Sequence, residues 1–434
     1  MKETLKLQTR LIKTQDPISF HSLLLLSLHH VPTLSTLRSL FLQSQPSILC
    51  FSTFAWNTMI RAHSISSPLL SLLFFSRMRF HSVSPDLYTF PLLLKACSLS
   101  SSSSSFALSA HSLTIKLGFI HDIYVQNTLI RFYCSSGRAR RALQVFDEMP
   151  HRDSVSWSAL ISGLASTGWE PLALSAFRVM QTESPPDEIT MLGVVSSVAA
   201  LGDLELGIWV HSYILKRALR LTVALGTALV SMFAACGSIA RAARMFDEMP
   251  ERNLRTWTAM IDAFAEHGRS SDAVRVFDEM TRLGITPDHV TFIGVLTACS
   301  RGGLLNEGRR LFGSIKRMYG IEPILEHYGC IVDLLGRAGL VIEAHEFVLR
   351  MPIRPNLVIW RTLLGACVNF GYVEVAEQVK ERIVEMDEQG HDGDYVLLSN
   401  VYGGVGRWAE KDHVRCTMRH AGIAKTPGCS LLGN

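Results

Sequence analysis

Along residues 154–187 the apolar side chains Trp157, Leu160, Ile161 and Leu164 fall at i, i+3, i+4 and i+7 and stop near Gly168. After that glycine Ala173, Ala176, Phe177 and Met180 resume the spacing until Pro185-Pro186 ends it. Residues 254–288 repeat the design with Trp257, Met260, Ile261 and Phe264, then Ala273, Val276, Phe277 and Met280. Such spacing puts the apolar groups on one stripe of a helix, with glycine closing the first helix and proline or a glycine-containing loop the second. Each segment therefore predicts two short amphipathic helices. Neither hides its stripe alone, so neighbouring hairpins must stack into an all-α solenoid with a continuous core and a concave face. No strand pattern with hairpin turns competes.

Self-similarity extends the prediction to most of the chain. Phe146-Asp-Glu-Met-Pro150 returns unchanged as Phe246-Asp-Glu-Met-Pro250, 100 residues on, with a variant at Phe277–Met280. Trp56, Trp157, Trp257 and Trp360 recur at steps of 101, 100 and 103. A finer ruler runs through Gly137, Gly168, Gly202, Gly237, Gly268, Gly303, Gly339, Gly371 and Gly406, with steps of 31 to 36 residues. Three unequal units thus make one longer period.

Composition narrows the classes. Of 434 residues 48% are hydrophobic and 18% charged, and 42 basic against 38 acidic residues give a formal charge of +4. That balance excludes a basic-tail nucleic-acid binder and an acidic disordered chain. No apolar stretch reaches the ~18–20 residues of a membrane helix, so no membrane partner is expected. The nine cysteines are scattered singly without a Cys-x-x-Cys pair, which reads as small buried residues rather than a disulfide framework or zinc ribbon.

The helical pairs open with Trp56-Asn-Thr-Met-Ile60, Trp157-Ser-Ala-Leu-Ile161 and Trp257-Thr-Ala-Met-Ile261, and Gly284-Ile-Thr-Pro-Asp288 ends a full-length unit. The tetratricopeptide signature, Trp two residues before Leu-Gly, is absent. In these motifs the sequence resembles the plant pentatricopeptide repeat family, in the subgroup that alternates canonical, long and short repeats. The resemblance implies a right-handed α-solenoid of nine repeats over residues 53–356: canonical at 53–86, 154–187 and 254–288, long at 87–122, 188–222 and 289–324, short at 123–153, 223–253 and 325–356. Residues 357–390, with Trp360-Arg-Thr-Leu-Leu-Gly-Ala-Cys367, resemble the first of the family's two E motifs, and residues 391–428 the second, leaving 429–434 as a tail. Residues 1–52 read either as worn repeats, which the phase of Phe41 favours, or as a Ser- and Leu-rich targeting segment. The Ser100–Ser105 tract is expected to widen the turn of repeat 87–122.

The family reads one nucleotide per repeat through the fifth and last residues. Short side chains that donate or accept toward a base edge suit that task. The pairs here are Asn57/Asp86, Asn127/Asp153, Ser158/Asp187, Thr227/Asn253 and Thr258/Asp288. The competing structural reading makes the acids helix N-caps and the fifth residues first-turn surface groups. The long repeats carry Pro91/Asp122, Leu192/Thr222 and Ile293/Ile324, whose apolar fifth residues offer no base-edge hydrogen bond, and Gly329/Asn356 is unassigned. By the family code the target runs 5′ to 3′ as pyrimidine, unread, pyrimidine, G, unread, A, G, unread. Arg138, Arg140, Arg141, Arg241, Arg244, Arg309 and Arg310 are candidates for tracking the RNA backbone, with solvated helix faces as the alternative.

Relatives that end in a cytidine deaminase-like domain need His-x-Glu and Cys-x-x-Cys to hold zinc. Neither occurs, so no catalysis, cofactor or metal is expected from this chain. His151-Arg-Asp153 imitates a kinase loop without Asp-Phe-Gly. Gly404-Val-Gly-Arg-Trp-Ala409 imitates a dinucleotide fingerprint if Tyr395–Tyr402 is a strand. The resemblance implies binding of single-stranded organellar RNA in the mitochondrion or chloroplast. It also implies recruitment of a separate deaminase-bearing factor through residues 357–428 for C-to-U editing. Splicing, stabilisation or translation of a transcript is the second reading, and a protein-only scaffold the third.

Overall fold

The computed structural model describes residues 53–99, 104–386, 391–420 and 422–423. The expectations for residues 1–52, for most of the serine tract and for the segment around Pro427 lie outside them. The chain divides into two units, Met1–Leu219 and Arg220–Asn434. All regular structure among the described residues is helical.

In the first unit five hairpins follow one another: α1 Thr53–His63 and α2 Pro68–Phe80, α3 Thr89–Ser98 and α4 Ser104–Lys116, α5 Ile123–Ser135 and α6 Ala139–Asp147, α7 Ser154–Ala165 and α8 Glu170–Glu183, α9 Glu188–Leu201 and α10 Leu204–Lys216. The second unit holds six: α11 Val223–Ala235 and α12 Ile239–Glu248, α13 Leu254–Glu266 and α14 Ser270–Arg282, α15 His289–Gly302 and α16 Leu305–Tyr319, α17 Leu325–Arg337 and α18 Val341–Leu349, α19 Leu357–Phe370 and α20 Val373–Met386, α21 Asp392–Gly404 and α22 Trp408–His420.

Within each unit the odd-numbered helices pack side by side, α7 between α5 and α9, α13 between α11 and α15. The even-numbered helices form a second layer, each against its own partner, and α2, α6, α8, α12, α14, α16, α18 and α20 also against the next first helix of the same unit. Two layers of one-sided helices over one core are what the apolar stripes demand. Trp157, Leu160, Ile161, Leu164, Ala173, Phe177 and Met180 are all buried, as are their counterparts from Trp257 to Met280. Ala176, at the stripe's edge, is only half-buried. No helix among the described residues is long and apolar enough to cross a membrane.

The glycine ruler has a stereochemical cause. All nine glycines follow a first helix with φ between 64° and 79°, the left-handed region that a Cβ disfavours. The turn lets the next N–H reach back to the helix: Arg138 N to Tyr133 O and Ser238 N to Phe233 O at 2.8 Å, Arg269 N to Phe264 O at 2.9 Å. The same geometry disposes of the dinucleotide fingerprint, because residues 392–404 are helix α21 rather than a strand and Gly406 has φ 77°.

The repeated Phe-Asp-Glu-Met-Pro segment is also a physical device. Phe146 meets Trp157 edge-on at 4.6 Å between ring centroids, and Phe246 meets Trp257 at 4.9 Å. Two residues past the proline, Arg252 donates to the carbonyls of Phe246 (2.7 Å) and Asp247 (2.8 Å) and lies over the Phe246 ring. Arg152 does the same at Phe146 and Asp147. The segment thus satisfies the exposed end of a second helix while docking it on the next tryptophan. The kinase-like His151-Arg-Asp153 is this device.

Of the nine cysteines, the seven among the described residues are free thiols. Cys97, Cys134, Cys299 and Cys367 are buried, and burial pushes each thiol up to about 12. Cys236, Cys330 and Cys416 are half-buried, contrary to a uniformly buried set.

Gly237 has φ 78° with nothing within 4 Å of an added Cβ. Gly237→Ala should therefore lower stability through backbone strain alone, by roughly 1–2 kcal/mol. Gly365, inside α19, is equally open but carries no positive φ. Gly365→Ala should raise stability by about 0.5–1 kcal/mol. Thermal and urea unfolding of the two variants give the opposite signs if turn geometry is the cause.

Candidate nucleic-acid interface

In every repeat but the one ending at Ile324, the side chain of the last residue accepts a first-turn N–H of the next first helix. Asp86, Asp153, Asp187 and Asp288 each accept, through Oδ1, the backbone N–H of the residue three positions on. Asn253 does so for Thr256 at 3.0 Å. Asp153, Asp187, Asn253 and Asp288 are N-caps, as the structural reading held, and Asp86 makes the same bond from just ahead of α3, whose N-cap is Tyr88. The capped residue, however, is a Thr or Ser at every one of these sites, and its hydroxyl carries the network onward.

Thr190 Oγ1 lies 2.7 Å from Asp187 Oδ1 and 2.8 Å from Ser158 Oγ, and Ser158 Oγ is itself 2.9 Å from Asp187 Oδ1. Thr291 links Asp288 (2.7 Å) to Thr258 (2.8 Å). Thr256 links Asn253 (3.1 Å) to Thr227 (2.7 Å). Asn57 Nδ2 donates to Asp86 Oδ1 at 2.9 Å, and its amide oxygen accepts from Thr89 Oγ1 at 2.8 Å. Fifth and last residues, some thirty positions apart in sequence, thus share one hydrogen-bonded cluster in four of the five pairs. In the fifth, Asp153 is joined to Ser156 (2.8 Å), while Asn127 Oδ1 is buried with no hydrogen-bond partner.

Fifth residues are only 2% (Ser158) to 8% (Thr227, Thr258) exposed, whereas the last residues are half-buried or exposed. Burial raises the Asp288 carboxyl, but the two hydrogen bonds from Thr291 outweigh it and hold the pKa below the usual carboxylate range. An ionised carboxylate with one oxygen committed to the cap retains acceptor capacity on the other.

Where the pattern departs, so does the network. At 324 an isoleucine stands where the acid would be, and the imidazole of His327 accepts from Ile324 N instead (3.2 Å). Burial lowers the His327 pKa, which keeps that nitrogen an acceptor. Asn356 caps α19 through Ile359 N (3.0 Å), but Ile359 has no hydroxyl and Gly329 no side chain, so nothing polar links them. In α19 the fifth residue of segment 357–390 is Arg361, which grips Asp394 with Nε and Nη2, both at 2.8 Å. Asp394 is buried, so a bidentate ion pair closes this position to a base edge.

Sequence reasoning missed the second position of these units. Phe54, Tyr88, Tyr124, Val155, Ile189, Val290 and Val358 each stand three residues before a fifth position, and their exposure runs from 45% (Val155) to 69% (Tyr124). Residues i and i+3 share a helix face, so large apolar groups flank the buried polar ones. The available signal was an apolar residue recurring on the otherwise polar side of the helix. The seven proposed backbone-tracking arginines lie on or beside the even-numbered helices instead. Arg309 pairs with Glu343 and Arg310 with Glu307 and Asp278.

Stacked two-helix hairpins bearing a register of exposed apolar and buried hydrogen-bonding side chains define a helical-repeat protein. Family models match a PPR repeat at residues 127–154, 155–184, 227–254 and 326–354, the PPR repeat family at 252–301 and an E motif at 370–433. The Arabidopsis thaliana "Pentatricopeptide repeat-containing protein At1g59720, chloroplastic/mitochondrial" is 42% identical over 89% of this chain and 63% of its own length. "Pentatricopeptide repeat-containing protein At2g02980, chloroplastic" is 40% identical over 100% of this chain and 72% of its own, and "Pentatricopeptide repeat-containing protein At1g77170, mitochondrial" 37% over 87% and 81%. The chain thus spans just under two thirds of the first relative. The crystal structure of the pentatricopeptide repeat protein PPR10 from maize shares the fold, with TM-score 0.58 and 17% identity over 94% of this chain and 64% of that one. The chain belongs to the plant pentatricopeptide repeat family and carries an E motif.

One side chain of this surface titrates unusually. Asp262, four residues after Thr258, is half-buried against Gly294 of α15, where a Cβ would collide with its Oδ1. Burial, reinforced by Glu266, pushes its pKa up to about 6. Because the folded value lies above the unfolded one of about 3.9, its favourable contribution is complete below pH ~4 and lost as pH rises through about 6. Asp262→Asn, which imitates the protonated acid, should raise the melting temperature at pH 7.5 and leave it unchanged near pH 4. Thermal melts across that range check the sign.

Proposed function

We propose that the chain is a sequence-specific binder of single-stranded organellar RNA in which each hydrogen-bonded pair reads one base. The observation that carries this reading is the recurrence of one cluster, last residue to hydroxyl to fifth residue, at Asn57/Asp86, Ser158/Asp187, Thr227/Asn253 and Thr258/Asp288. Each lies beside an exposed second residue, apolar at Phe54 and Val155 and Ala224 or Arg255 in the other two. Unpaired bases are held by stacking on such flat or apolar groups and are distinguished at their Watson–Crick edges by short polar side chains. The buried amide oxygen of Asn127, unsatisfied within the protein, gains a partner if a base edge meets it.

On this reading the tract is pyrimidine, unread, pyrimidine, G, unread, A, G, unread. Residues 53–356 form the nine-repeat reader. Reading ends before α19, where the Arg361–Asp394 ion pair replaces the pair chemistry. The segments 357–390 and 391–428 then recruit a separate deaminase that converts a cytidine beyond the bound tract, and the protein itself supplies no catalysis. The match of residues 370–433 to an E motif supports this division of labour, and the chloroplastic and mitochondrial names of relatives support an organelle as the site.

Exchanging Thr227→Asn together with Asn253→Asp should move the preference at the sixth tract position from A to a pyrimidine. Competition binding with RNAs varied only there tests this, and an unmoved preference contradicts it. Tyr124→Ala should weaken every RNA alike by about 1–3 kcal/mol, the range for loss of a base–aromatic stack, without altering preference. In plants lacking the protein, at least one organellar cytidine should stay unconverted. Full conversion of every site would refute the editing role.

A further inference from the structure

Four residues beyond the fifth position, one turn along the same helix face, the first unit places Arg61 on α1, Lys95 on α3 and Arg131 on α5. All three are exposed. No hydrogen bond or ion pair engages any of these side chains among the described residues, whereas Arg275 of α14 is tied to Asp272 (3.2 Å) and Arg309 of α16 to Glu343 (2.6 Å). The three helices are consecutive neighbours in one layer, and packed helices lie about 8–10 Å apart. The row therefore places one uncommitted cation on each of three successive helices.

The register changes character further along the chain. In the first unit Ser162 and Ser196 follow; in the second the positions are Ser231, Asp262, Thr297 and Asp333. Asp333 is held by Ser300 (2.6 Å) and Arg337 (2.9 Å). No cation occupies this register after Arg131. A net charge of +4, summed over the whole chain, does not reveal this local asymmetry.

We propose that Arg61, Lys95 and Arg131 are a phosphate-binding row that tracks the RNA backbone through the first unit. The inference rests on the RNA-binding reading and deepens it. Carboxylates at the last positions repel phosphate, so the backbone must run on the other side of the base-reading pairs. A displacement of four helical residues, about 6 Å along the axis, provides that separation. The electrostatic share of the affinity is thereby concentrated at the 5′ part of the tract. The second unit contributes selectivity with little counterion release.

The test measures the salt dependence of affinity for a labelled single-stranded RNA carrying the tract, with a scrambled RNA of equal length beside it. Each phosphate neutralised on a single strand contributes about 0.7 to the slope of log K against log salt. Replacing Arg61, Lys95 and Arg131 together by Ala should flatten the slope by about 2 while leaving base preference intact. The control triple Arg140→Ala, Arg241→Ala and Arg244→Ala, on the exposed sides of α6 and α12, should leave the slope where it was. Ser231→Lys should steepen it by about 0.7. An unchanged slope in the first triple, an equal loss in the control, or no response to Ser231→Lys overturns the row while RNA reading stands. Failure of the parent protein to bind either RNA overturns both.

Discussion

One hydrogen-bonding constraint recurs along the surface: a short acid or amide caps most first helices, and in four units the capped hydroxyl then holds the fifth side chain of the preceding hairpin. Capping is required because the first N–H groups of a helix have no partner within it. Here Thr89, Thr190, Thr256 and Thr291 turn that local need into a link between neighbouring hairpins, while Ser156 bonds only its own cap. The same atoms that start a helix therefore fix the spacing of the groups that face a ligand. In the proposed reading, capping and base recognition at Asp187 or Asp288 use the two oxygens of one carboxylate.

This coupling explains why the surface is preorganised. Ser158, Thr227 and Thr258 are buried and tied into clusters, so little side-chain freedom remains to be lost when a base arrives. The arrangement fails cleanly where a residue is wrong for it, at Ile324, at Gly329/Asn356 and at Arg361. At the last of these an ion pair from Arg361 to the buried Asp394 substitutes one rigid device for another.

Much of the fold was legible because its signals are periodic. An apolar stripe at helical spacing and glycines in left-handed turns leave marks that no other architecture imitates. The fifth and last residues were legible through the same register. What was not legible were features that depend on which side of a helix faces solvent. Tyr124 and Val155 look like stray apolar residues until their exposure is known, and Arg309 looks as available as Arg131 until Glu343 is found against it. The hydroxyl relay was hidden too, since Thr190 or Thr291 reads as an ordinary first-turn residue. At the start of α17 the imidazole of His327 meets both Ile324 N and the distant His289 carbonyl, and no local pattern announces the second contact.

The central claim is that bases lie along the exposed face of the odd-numbered helices, between second-position groups and the capped clusters. Ultraviolet crosslinking of the bound RNA followed by mass spectrometry of the peptides tests it most directly. Adducts should fall on Phe54, Tyr88 and Tyr124. Adducts confined to exposed aromatics elsewhere, such as Trp169 or Trp408, would contradict the account.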